Sequence, residues 1–397
     1  MAFRFDEPAE GPLAPPSVDE VGFKSLYAKR FYEVKTRDGW TLVTSRYQPL
    51  RQAFAQPIFG APILLVHGWS QNRHCWTSGE FVKNLLYFGA DIHVAELRGH
   101  GLSSVALQRR RARESGAPPP ADLAFGWDLD SYLLEDLPAL VEGVRRETWR
   151  RPYLVGHSMG GMLAYGYAGM HPADLAGLVT IGSPAELGRG WPLLQVAAWL
   201  WLVGGPLLDG ALAAVNLARR VAGRARVELD HVPVDELLLQ AERVVSRPAL
   251  LRALYSAGLP LWPNPANVAA ETVRWLVRQG GEKEPRRVVE QFTRWIRRGE
   301  LSCERTGWRY ADGFSRLTMP MAIFFGDRDR LATLDSTRAV YRGARSEYLL
   351  WRPVKGNTHL ELTLGYDIRQ ICYDVKNLVD YGEHAVGRKA LPRAGRD

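Results

Sequence analysis

Apolar positions along the chain fall into two patterns. Short continuous runs recur at PILLVH (62–67), Tyr153 to Val155, GLVTIG (177–182), PMAIFFG (320–326) and EYLLWR (347–352), with DIHVAEL (91–97) close to them in character. Runs without alternation mark strands buried on both faces, as in a parallel sheet. Between them, 79–89, 127–147 and 366–381 have helical spacing, and a helix-compatible stretch follows residue 158. Asp128 and Asp130 stand near the start of the second of these, where the helix dipole favours acids. Residues 30–48 read as a hairpin, two alternating runs about Asp38-Gly39. Strands alternating with helices predict an α/β fold with a mostly parallel central sheet and helices on both faces.

The interval 185–315 breaks this rhythm. It holds seven of the thirteen tryptophans (Trp191, Trp199, Trp201, Trp262, Trp275, Trp295 and Trp308), is helical in pattern and rich in arginine, and shows no strand alternation. It is read as an inserted helical cap. The expected organisation is a loose N-terminal arm at 1–25, a core at 26–184 and 316–385, the cap at 185–315 and a C-terminal tail at 386–397. Within the cap, 191–217 is nearly free of charge and long enough for a membrane span. Gly204-Gly205-Pro206 in its middle and Asp209 beyond argue instead for two shorter helices, a hairpin buried in the cap or facing substrate. Shallow docking at a membrane surface is the alternative reading.

Composition narrows the classes. A chain of 397 residues with 46% hydrophobic content suits one large domain with an insertion, or two domains. The net charge is +8, and its densest run, Arg109-Arg110-Arg111 with Arg113, precedes Pro118-Pro119-Pro120. This reads as a solvated surface loop. A nucleic-acid arm would carry interleaved aromatics or a recognition fold, and neither is visible. Cys75, Cys303 and Cys372 are too widely spaced for a disulfide framework or a metal pattern. They suit a reducing compartment, and the acidic, proline-rich N-terminus has no apolar core of a signal peptide, so a cytoplasmic location is expected.

Chemistry enters at Gly156-His157-Ser158-Met159-Gly160, which fits the G-x-S-x-G nucleophile elbow. A side chain two positions before or after the serine would collide in so sharp a turn. A serine hydroxyl is a weak nucleophile until a histidine takes its proton, and the histidine needs a carboxylate to fix its tautomer. In this kind of sheet the partners follow in the order Ser, Asp, His. The acid is expected at Gly326-Asp327-Arg328-Asp329, directly after a strand; Asp329 is the first choice and Asp327 the second, the alternative being a turn whose aspartates only cap the next helix. The base is expected at His359, on the loop past the last strand. His157 should point away from Ser158 and serve packing or hydrogen bonding. Two backbone N–H groups should form an oxyanion hole: that of Met159, and that of Trp69 in the loop Val66-His67-Gly68-Trp69-Ser70.

With these residues in place the chain resembles an α/β-hydrolase. The matching pieces are LLVHGW, ELRGHGLSS (96–104), GHSMGG (156–161), GDRD (326–329) and GNTHLEL (356–362), in the family's order over 30–380. The Arg98-Gly99-His100-Gly101 run with GHSMGG resembles the monoacylglycerol-lipase and lysophospholipase-like branch. The resemblance implies a serine hydrolase of carboxylic esters that works through an acyl-enzyme, with no metal or organic cofactor. Relatives that cleave carbon–halogen bonds or epoxides carry aspartate at the elbow, and Ser158 argues against both. The tryptophans and leucines of the cap suggest a lipid or medium-chain ester. Acyl transfer to another acceptor, or thioester cleavage, would use the same residues. A small-molecule or lipid ester is the expected partner, with no nucleic acid and a transient membrane-surface contact through the cap.

Overall fold

The structure, a computed structural model, describes residues 27–50, 56–222, 230–245, 247, 249 and 263–389. Eight strands form one sheet: β1 (Tyr27–Lys35), β2 (Thr41–Pro49), β3 (Pro62–Val66), β4 (Asp91–Ala95), β5 (Tyr153–His157), β6 (Gly177–Ile181), β9 (Met321–Gly326) and β10 (Leu349–Val354). A separate ribbon pairs β7 (His231–Val232) with β8 (Glu284–Pro285). The order in the large sheet is β1-β2-β4-β3-β5-β6-β9-β10. β1 and β2 pair antiparallel, as do β2 and β4, and from β4 to β10 every pairing is parallel. The predicted hairpin is there, its turn closing through Gly39 at φ +92°, a conformation that favours glycine.

The continuous apolar runs become strands for the reason given: β3, β4, β5, β6 and β9 are buried at every position. One face of the sheet is covered by α1 (Phe81–Tyr87), the opposite face by α3 (Leu137–Thr148) and α4 (Met159–Met170), and the final helix, α10 (Ile368–Lys389), joins α1. The chain moves from β3 outward to β4, then back past β3 to β5. Open α/β sheets bind ligands outside the carboxyl ends of the strands at such a reversal, here β3 and β5.

Four expectations change. The arginine run is not a loop: Val105–Ser115 is a helix, α2, capped by the Ser104 hydroxyl on Leu107 N–H. Its alanine, leucine, glutamine and arginine residues are good helix formers, and Arg111 pairs with Glu33 and Glu114 on the surface. The predicted helix at 127–147 begins with a capping box between Asp128 and Ser131, then passes through a π turn at Tyr132–Asp136 before α3. Asp130 serves more than the dipole, because its buried carboxylate accepts from Gln291 Nε2 and Arg305 N–H. The final helix runs on to Lys389, into the expected tail. Residues 1–25, 390–397 and Trp262 lie outside the described residues.

The fourth change is in the segment between β6 and β9. It is mostly helical, with α5 (Pro192–Val221), α6 (Val234–Val245), α7 (Ala270–Gln279) and α8 (Arg286–Arg298), then α9 (Leu334–Gly343) following β9. The β7–β8 ribbon was too short to leave an alternating signal. The expected hairpin at 191–217 is instead one continuous helix, α5, with Pro206 inside it. A proline removes one backbone bond and bends a helix without having to end it. Here Arg286 of α8 grips Asp209 just beyond the proline, and Gln195 Nε2 donates to the carbonyl of Ile296. Both contacts tie the helix to α8.

The tryptophans of this segment divide. Trp295 is buried and donates Nε1–H to Ser302 O, and Trp308 packs against the core. Trp199 and Trp275 are about half exposed, at 54% and 49%.

Candidate active site

Ser158 stands between β5 and α4 with φ +52° and ψ −120°. A non-glycine residue there is strained, and the surroundings hold it. Ser158 N–H donates to the carbonyl of Ile181 on β6, and its own carbonyl accepts from Gly161 and Met162. The predicted crowding is present. A Cβ on Gly156 would come within 2.4 Å of Gly161 N, and one on Gly160 within 2.5 Å of the carbonyl oxygens of Val66 and His67. Backbone cannot yield as a side-chain tip can, so only glycine fits at either place.

Three elements bring their side chains to this turn. His359, on the loop after β10, lies with Nε2 2.9 Å from Ser158 Oγ and Nδ1 2.8 Å from Asp329 Oδ2. Asp329 follows β9. The carboxylate accepts from Nδ1–H, which leaves Nε2 without a proton and facing the serine hydroxyl. Asp329 Oδ1 accepts from Leu331 and Ala332 N–H, so the carboxylate is fixed at both oxygens. Asp329 and His359 are buried, at 4% and 3% exposure, while Ser158 is partly open. Asp327, the second choice, is exposed and accepts from Gly356 N–H instead.

His157 is turned elsewhere. Its Nδ1 is 3.1 Å from Gln71 Oε1 and its Nε2 3.3 Å from the carbonyl oxygen of His359. Its ring packs 5.0 Å from that of His359. Burial, with His359 beside it, pushes its pKa down to about 3, so it stays neutral.

The loop after β3 lies against the same turn. A Cβ on Gly68 would come 3.0 Å from Ser158 Cβ. Gly68 N–H is tied to Gln71 Oε1. Among the described residues, the N–H groups of Trp69 and Met159 have no protein acceptor, and they flank Gly68 and Ser158. Sequence reading missed Gln71, which reads as an ordinary loop residue, and Glu282 and Glu284, which look like a charged surface run in GGEKEP. Both lie against the loop from the segment between β6 and β9: Glu284 Oε1 accepts from Ser70 N–H, and the main-chain N–H of Glu282 donates to Ser70 O.

Comparison with known proteins agrees with this architecture. Residues 61–219 match the alpha/beta hydrolase fold family. The acetyltransferase component (dihydrolipoyllysine-residue) of the acetoin cleaving system of Pseudomonas putida is 31% identical over 157 residues, 40% of this chain and 32% of that protein. The chain thus spans about a third of the length of this relative. Among solved structures, DcsB in complex with its substrate analogue aligns with a TM-score of 0.52 at 12% identity, covering 89% of this chain and 100% of that one. A monoacylglycerol lipase of Paleococcus ferrophilus gives 0.48 at 13% identity, covering 86% and 99%. The chain has the α/β-hydrolase fold.

Proposed function

We propose that the chain is a serine hydrolase of carboxylic esters, with Ser158 as nucleophile, His359 as base and Asp329 as its orienting acid. The observation that carries this reading is the unbroken hydrogen-bonded path from Asp329 Oδ2 through His359 to Ser158 Oγ, ending at a partly open hydroxyl. His359 Nε2 takes the hydroxyl proton as Oγ bonds to the ester carbonyl carbon. The oxygen that becomes anionic rests on the N–H groups of Trp69 and Met159. The same Nε2–H then protonates the departing alcohol, leaving an acyl-enzyme. Water repeats the two steps and frees the acid.

A lipid or medium-chain acyl ester is the substrate class we favour. The support is α5, which begins beside the acid loop: Thr333, four residues beyond Asp329, donates its hydroxyl to the carbonyl of Arg189. From there Leu193, Val196, Trp199, Leu200 and Leu202 are exposed, and the helix is long and apolar enough to cross a membrane. A soluble surface helix normally interleaves charges. Shallow contact of this face with a lipid surface accounts for their absence. Trp199→Glu with Leu200→Glu is expected to abolish co-sedimentation with lipid vesicles; undiminished co-sedimentation contradicts the contact.

A second reading is acyl transfer to an acceptor other than water, which the partial likeness to an acetyltransferase component supports. Hydrolysis of p-nitrophenyl esters from two to sixteen carbons, by the parent and by Ser158→Ala, tests the first reading. Activity rising with chain length and lost in the variant supports it. Product that appears only with an added alcohol, amine or thiol favours transfer.

A further inference from the structure

Ser70 follows Trp69, and both of its main-chain groups are bound by the inserted segment. Its N–H donates to Glu284 Oε1 at 2.5 Å, and its carbonyl accepts from Glu282 N–H at 2.9 Å. Ser70 has φ +52°, a conformation that costs free energy for any residue with a Cβ. The loop therefore keeps its shape because something outside it holds it there.

Glu284 is itself held. It is fully buried on β8, and His100, equally buried, donates Nε2–H to the same Oε1 at 3.1 Å. His100 Nδ1 faces the carbonyl of Arg98 at 2.8 Å. Both ring nitrogens thus face oxygen acceptors, one of them a carboxylate, an arrangement that favours the imidazolium. Tyr132 OH reaches Glu284 Oε2 at 3.4 Å. Nearby, Glu282 Oε1 accepts from Gly101 N–H and Asn72 Nδ2. A carboxylate with partners from three separate stretches has no room to swing.

We propose that Glu284 is a positioning residue. Through Ser70 it fixes the direction of the Trp69 N–H, so the inserted segment contributes to transition-state stabilisation and not only to covering the site. This rests on the reading of Ser158 as nucleophile and Trp69 N–H as an oxyanion donor. Such a donor acts only when aimed within hydrogen-bond distance of where the oxyanion forms, and losing one costs about 10²–10³ in rate.

Glu284→Leu removes the acceptor at similar volume, and Glu284→Gln keeps Oε1. The leucine variant is expected to lose about 10²-fold in kcat with KM within about threefold of the parent, the pattern of an interaction made only in the transition state. The glutamine variant should recover most of that loss. Glu284→Leu combined with His100→Leu, which leaves no buried cation, is measured alongside, so failure of the single variant to fold does not decide the matter. Amide hydrogen exchange at residues 68–71 should be faster in both leucine variants. A lower melting temperature with parent-like kcat and parent-like exchange would make Glu284 a brace alone and overturn the proposal, as would a rise in KM with kcat unchanged. A parent that cleaves no ester overturns the reading of the site; exchange at 68–71 then still decides whether Glu284 holds the loop, and parent-like exchange overturns that.

Discussion

Glu361 reaches back three residues to hold Thr358, the neighbour of His359. Its Oε1 accepts from Thr358 N–H at 3.0 Å and its Oε2 from the Thr358 hydroxyl at 2.5 Å. The same Oε1 takes the N–H of Asn264, from the segment between β6 and β9, at 2.7 Å. Asn264 Nδ2 also donates to Gly356 O, and Asn267 Nδ2 to Asn357 Oδ1. The loop that carries His359 is therefore braced from outside, as the loop through Ser70 is.

Glu361→Ala strands three donors in a buried place, each costing about 1–3 kcal/mol when left unsatisfied. It also frees the backbone beside His359, and a misplacement of about 1 Å can cost about 10²-fold in rate. The expected result is a lower melting temperature and a fall in kcat of that order, with Glu361→Gln close to the parent because its Oε1 still accepts. Steady-state kinetics and thermal melts of the two variants check this.

The two aspartates of GDRD should separate cleanly. Asp329→Asn turns the partner of His359 Nδ1 into an amide that can favour the wrong tautomer, a change worth about 10⁴ in kcat where this arrangement operates. Asp327→Asn alters an exposed side chain whose contact is Gly356 N–H and should stay within about twofold, as surface changes do. Equal losses in both would contradict the assignment.

The His100–Glu284 pair predicts a pH dependence of stability. Glu284 raises the pKa of His100 to about 9, against a desolvation penalty that alone would lower it. The ring of His67, 4.8 Å away, stays neutral because burial pushes its pKa well down. Tyr132 also stays neutral, its pKa raised by burial. A folded-state pKa above the unfolded value near 6.5 means that the folded protein binds the proton more tightly. The contribution is therefore complete below about pH 6.5 and lost as pH rises toward 9. Over that window the parent's melting temperature should fall by about 2 °C or more relative to His100→Gln. Parallel curves for the two proteins would contradict the charge assignment.

The residues say unequally much about all this. The sheet was legible because β3, β5, β6 and β9 are buried on both faces, and burial on both faces leaves an uninterrupted apolar run. Ser158 and Asp329 were legible because each sits just past such a run, and His359 because it follows the last strand, β10, although that strand is only partly buried. α5 was not: Gly204-Gly205-Pro206 carries a local signal to stop, and the support that overrides it, Arg286 on Asp209, comes from a helix far along the chain. Glu284 was hidden for a similar reason. A glutamate beside a lysine and another glutamate looks solvated until folding brings His100 to it from 184 residues away.

We propose Ser158 as the nucleophile. The most direct test is reaction with an alkyl fluorophosphonate, followed by intact-mass and peptide mass spectrometry. Fluoride leaves as Oγ bonds to phosphorus, so labelling reports an activated hydroxyl whether or not the natural ester is known. The expected result is one adduct per chain, on the peptide holding Ser158, absent in Ser158→Ala and much slower in Asp329→Asn. Undiminished labelling of Ser158→Ala, or an adduct on another residue of the parent, would contradict it.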